Sequence, residues 1–187
     1  MNLKYNKIIF LIFLFLIPSA KSAETLFIYQ GSFNRTIKIE ELYKFKESKV
    51  PSSKLKSLLA ITSQDKKDLY KVLSYEINIP LKRTSKLMNS KIGEVFLSRL
   101  SKIIHPNKIS NKNIGIKAIR SGIILGAYKN NQKINLLNFF KAYPNKNIAI
   151  NLKELSKALK KAESLKELIE FFSDSPFKKL KDGSSTI

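Results

Sequence analysis

The stretch from Ile114 to Tyr128 is the most apolar of the chain beyond its N-terminus. Its small residues, Gly115, Ala118, Gly122 and Gly126, recur at intervals of three and four. That spacing collects them on one side of a helix, where missing side chains let a neighbouring element approach closely. A central helix with a tightly packed flank is therefore expected here. The Gly122–Gly126 spacing is also a dimerisation signal in membrane helices, but Lys117 and Arg120 interrupt the run, which is too short to span a bilayer. Close packing within one domain is the reading adopted.

Around this helix the chain is cut into short pieces. Thr25–Tyr29 and Phe33–Ile39 are rich in β-branched and aromatic residues and are separated by Gln30-Gly31-Ser32, a hairpin signal in which Gly31 supplies positive φ. Glu40–Lys46 is expected as a short helix carrying Leu42 and Phe45, ended by Val50-Pro51. Ser52 and Ser53 offer a cap for a helix with Leu55, Leu58 and Leu59, and Thr62 and Asp65 stand at capping-box spacing before the next. Leu81–Met88 follows Pro80 as another helix. Ile92, Val95, Phe96, Leu100, Ile103 and Ile104 form an apolar stripe that runs up to Pro106. Leu136–Tyr143 is a short helix ending at Pro144, and Asn147–Leu152 alternates as a brief strand able to join the opening hairpin in a small sheet. The fold class is mainly α: an irregular bundle of short helices with a small β-hairpin and strand element.

At the N-terminus Lys4 and Lys7 precede an unbroken apolar run, Ile8–Ile17, then Pro18 and the small stretch Ser19–Ala23. This is the layout of a secretory signal peptide over 1–22, cleaved after Ser22, with an uncleaved anchor as the alternative. Residues 23–172 are assigned to a single helical domain and 173–187 to a flexible tail. The expected location is outside the cytoplasm.

Few residues suit catalysis. The chain has no cysteine, and His105 is its one histidine, expected at a helix end and inert. Disulfides, thiol chemistry and a Cys-ligated metal are excluded, and a His-ligated centre would have to draw almost all its ligands from carboxylates, so no metal site and no cofactor are assigned. No glycine lies in a G-x-S-x-G elbow or a phosphate loop. Glu40, Glu41, Asp65, Asp68 and Glu94 fall where helix starts favour acids. No catalytic residue is assigned, and an enzyme is not expected.

The formal net charge is +21, carried mostly by lysine. Abundant Lys, Asn and Ile together are also what an AT-rich genome produces. Outside the cytoplasm such charge meets anionic lipid, cell-wall polymers and acidic proteins, so nucleic acid is a minor reading. The last helix, Leu152–Phe172, sets Leu152, Leu155, Leu159 and Ala162 against Lys153, Lys157, Lys160 and Lys161. Those lysines are the candidate anionic-surface residues. A helix docked on its own core, with a solvated lysine face, is the preferred alternative.

Taken in order, the aromatic hairpin, Ser90-Lys91-Ile92-Gly93-Glu94, the run Ala118–Ala127, Leu136–Pro144 and Ile148–Leu152 resemble a domain of unknown function found mainly in cyanobacteria. That domain usually stands after a signal peptide and before an α/β-hydrolase domain. The likeness spans roughly Ala23 to Lys161. It implies a stand-alone copy of the accessory domain in a periplasm or thylakoid lumen, non-enzymatic, with a protein partner such as a separately encoded hydrolase. It transfers no catalytic residue. The rival functions are a peripheral binder of anionic membrane or cell-wall polymer, and a minimal esterase.

Overall fold

The computed structural model describes residues 22–161 except residue 110. The expectations for a signal peptide, for a last helix continuing beyond Lys161 and for a C-terminal tail fall on residues 1–21 and 162–187, outside the described residues.

A hairpin opens the domain: β1 (Thr25–Gln30) and β2 (Phe33–Lys38) pair antiparallel around Gly31 at φ 57°. Helix α1 (Ile39–Ser48) follows, and Lys49 closes it in the left-handed conformation, its N–H donating to the Phe45 carbonyl. Then come α2 (Ser53–Ile61), α3 (Lys66–Ser74), the two-residue strand β3 (Ile77–Asn78), α4 (Leu81–Met88) and α5 (Lys91–Ile103). Strand β4 (Ile104–Pro106) leads to the central helix α6 (Lys112–Lys129). The described residues end through β5 (Lys133–Ile134), α7 (Leu136–Ala142), β6 (Asn147–Asn151) and α8 (Leu152–Lys161). The architecture is mainly α with a small strand element, as the periodicity predicts.

The main sheet has the order β2-β1-β6-β4, with β1 and β6 parallel and the outer pairs antiparallel. Period-2 alternation splits its faces. Leu26, Ile28, Ile37 and Ile148 point to the core, each less than a tenth exposed. Full burial of such side chains contributes about 1.5–3 kcal/mol each. Register places Phe27, Tyr29, Ala149 and His105 on the opposite face.

Caps define most helix starts. Ser52, Asp65, Ser90, Asn111 and Asn135 each accept a backbone N–H from the first turn of α2, α3, α5, α6 and α7 respectively. Thr62 is not the cap of α3. It ends α2, its hydroxyl donating to the Leu58 carbonyl at 2.8 Å, and Asp65 caps α3 by accepting from the Lys67 N–H.

The expected close packing along α6 is present. A methyl group at Gly122 would lie 2.8 Å from the Phe139 ring, one at Gly126 would meet Ile134 and the Asn138 carbonyl, and one at Gly115 would meet Ser101. Thus α6 is approached by α7 on one flank and α5 on another.

The stripe along α5 differs from expectation. Its buried side runs through Gly93, Leu97 and Ser101, while Ile92 and Val95 are 66% and 56% exposed. The α4–α5 turn is the cause: a Cβ at Gly93 would sit 2.0 Å from the Leu87 carbonyl oxygen, so this position must face α4. Positions one and two turns on then face inward, and Ile92 and Val95 turn outward. The helix also ends sooner, because Ile104–Pro106 leaves it to pair with β6.

Candidate functional site

His105 lies in β4, not at a helix end. Its side chain shares the outer sheet face with Phe27 and Tyr29, and the Tyr29 hydroxyl is 2.9 Å from His105 Nε2. Nδ1 is 3.1 Å from the Pro106 carbonyl. A carbonyl only accepts, so Nδ1 carries the proton and Nε2 accepts from Tyr29. Phe27 stacks on Tyr29 at 6.0 Å, and Ala149 beneath them is 1% exposed without joining the main core. These side chains form a small aromatic roof over the sheet. The imidazole orients a phenol rather than a serine, so no nucleophile–base pair is built on it.

An open groove of about 660 Å³ lies beside α1, lined by Ala23, Glu24, Lys38, Glu40, Tyr43 and Lys141 among others. Two of its carboxylates are engaged: Glu40 with Lys44 at 2.6 Å and Glu24 with Lys146 at 3.0 Å. The Lys44 hydrogen bond holds the Glu40 carboxyl below its ordinary value, and desolvation raises the Tyr43 phenol. Among the described residues no three histidines or carboxylates come together as metal ligands.

Helix α8 starts directly from β6, with the Asn151 side chain accepting the Glu154 N–H at 3.3 Å. A hydrolase elbow places its nucleophile at such a strand-to-helix junction; this chain places a capping asparagine there. Leu152 and Leu155 are half-buried, and α8 packs on α5, β1 and β6. Lys153 and Lys157 are exposed. Lys157 pairs with Glu154 at 2.7 Å, a bond that holds the Glu154 carboxyl below its ordinary value, helped by the charges of Lys102 and Lys153. The side chains of Lys160 and Lys161 lie outside the description.

Sequence reasoning missed two features. The His105–Tyr29 contact joins residues 76 apart and leaves no periodic trace. The other is an uneven charge distribution that was legible all along. Between Ile77 and Lys153 the chain has fifteen lysines and arginines and one carboxylate, Glu94.

The fold and the groups on it define a helix-rich domain with an aromatic cluster on the outer sheet face and no assembled catalytic set among the described residues. Residues 22–151 match the family described as alpha/beta hydrolase of unknown function (DUF1400), and the chain belongs to that family. The match covers most of the stretch that carries the resemblance to a hydrolase-associated domain. No curated protein and no solved structure matches the chain.

Proposed function

We propose that this chain is an exported, non-catalytic accessory domain that docks onto a separate α/β hydrolase. One observation carries the reading. The residues matching a hydrolase family fold as a helical domain whose single histidine is bonded to Tyr29 and to a carbonyl, and whose strand-to-helix junction holds Asn151. An acyl-transfer enzyme needs a nucleophile, a base to activate it and an oxyanion hole. The family link to hydrolases is then one of partnership.

The test is affinity purification of the full chain from its own cells with identification of stoichiometric partners, followed by reconstitution. Co-purification of an α/β hydrolase, and a change in its ester turnover on adding this chain, is the expected result. A partner set without a hydrolase would overturn the docking reading. Turnover of a simple ester by the chain alone would overturn the non-catalytic one. Export is tested separately by N-terminal sequencing of the protein from fractionated cells, with Ala23 expected as the first residue.

A further inference from the structure

We propose that the outward stripes of α5 and α6 rest against an anionic lipid surface. The inference is independent of whether a hydrolase docks elsewhere on the domain.

Three observations combine. On α5, Lys91, Ile92, Val95, Arg99 and Lys102 are all exposed and fall within one arc of about 100° on a helical projection. Glu94, the one acid of this helix, lies off that arc. On α6, which packs against α5, the outward positions are Ile114, Lys117, Leu125 and Tyr128, and this helix carries no acid. Tyr128 is 67% exposed, Ile114 42% and Leu125 40%. Ion pairs among the described residues involve none of Lys91, Arg99, Lys102 and Lys117.

Charge complementarity identifies an anionic partner, since both helices belong to the segment from Ile77 to Lys153 with its single carboxylate. The apolar residues narrow that partner to lipid. A soluble polyanion is held by cations alone and gains nothing from Ile92, Val95 or Leu125. At a bilayer the lysine and arginine heads meet phosphate while branched aliphatic side chains enter the acyl boundary, and a tyrosine favours the headgroup layer. Such surfaces gain about fivefold in binding for each basic residue near an anionic membrane. The candidate lysines of α8 are less favoured, because Lys157 is already paired with Glu154.

The experiment uses the full chain with vesicles of phosphatidylcholine alone and of phosphatidylcholine mixed with phosphatidylglycerol, at low and high salt. The N-terminal apolar run and its flanking lysines are the same in every variant, so the informative quantity is the part of the extra, salt-sensitive binding to the anionic vesicles that the α5 substitutions remove. Lys91→Gln/Arg99→Gln/Lys102→Gln should cut that increment by roughly 100-fold. Ile92→Ser/Val95→Ser should cut it several-fold without changing its salt slope. These are exposed positions, and an unchanged melting temperature establishes that the variants fold. The chain has no tryptophan, so Ile92→Trp introduces a single reporter whose emission should shift to the blue on anionic vesicles only. Three outcomes overturn the proposal. One is an unshifted emission from the Ile92→Trp variant. Another is loss of binding in Lys153→Gln/Lys157→Gln but not in the α5 variants, which assigns the contact to α8. The third is binding insensitive to Ile92→Ser/Val95→Ser and reproduced by a soluble polyanion, which assigns the surface to a polymer.

Discussion

A methyl group at Gly93 would sit 2.0 Å from the Leu87 carbonyl oxygen and 2.9 Å from the Met88 Cα. Both are backbone atoms, so no rotamer change relieves the overlap. Gly93→Ala should therefore cost about 3 kcal/mol, at the upper end for overpacking. Gly31→Ala meets open space and pays only for its φ of 57°, about 1–2 kcal/mol. Thermal melts of the two variants should rank in that order; the reverse would mean that the α4–α5 turn opens without penalty. Tyr143 makes a second case. Its hydroxyl is buried without a partner among the described residues, and desolvation drives its phenol well above the ordinary value. Below the ordinary value near 10, folded and unfolded states are both neutral there. Above it the unfolded chain ionises first, so stability is lost as pH rises. Tyr143→Phe should leave the melting temperature near pH 7 unchanged or raised, and should weaken the loss of stability at about pH 11. A clear drop near neutral pH would reveal a hydrogen bond made by Tyr143 with water or with a residue outside the description. At this scale the spacing of Gly115, Gly122 and Gly126 disclosed their role. Gly93 did not disclose its own, because the atom it must avoid belongs to another helix.

Short strands are the elements that the sequence concealed. Ile104–Pro106 continues the apolar character of α5 without a break, and three residues are too few for alternation to show. Only pairing with β6 makes them a strand. Strands β3 and β5, two residues each, are hidden for the same reason. The hairpin and β6 were legible, since Gly31 and a full alternation mark them, and so was their pairing. The helix start at Ser52 was legible, that of the central helix was read two residues late because Asn111 sits in a polar run, and that of α3 was misplaced where Thr62 and Asp65 compete. Ser90 tests how much such a cap contributes. Its hydroxyl accepts the Gly93 N–H at 3.1 Å and donates to the Leu87 carbonyl at 2.7 Å, joining α4 to α5. Ser90→Ala should cost about 1 kcal/mol or somewhat more, read as a lowered urea midpoint with an unchanged slope. A changed slope would mean that the α4–α5 corner unfolds separately.

Across the whole molecule, two features dominate: a sheet whose middle strands come from the two ends of the described domain, and an internal segment, Ile77–Lys153, that is basic with almost no acid to balance it. The first makes the fold dependent on its last strand. A chain ended at Lys146 retains every helix from α1 to α7 but lacks the strand that joins β1 to β4. It should show no cooperative thermal transition, and a sharp transition in it would mean that the helices form a core of their own. The charge has the opposite dependence on surroundings. Self-repulsion among the unscreened cations destabilises the compact state, so the melting temperature of the full chain should rise between low and moderate salt and then level off. No rise would mean that the cations lie too far apart to interact. Part of this scale could be read from composition alone. The aromatic sheet face could not, because which strands lie side by side is decided by the connections between them.

The pairing of β1 with β6 also sets a clock. Thr25 and Asn147 lie opposite one another yet are 122 positions apart. At about 5–20 residues per second, roughly 6–24 s separate the birth of the first strand from that of its parallel neighbour. For that interval the hairpin waits with one edge bare, open to any other strand it meets. Whatever accompanies this chain while it is being made has that one edge to guard, and its work ends when Asn151 appears.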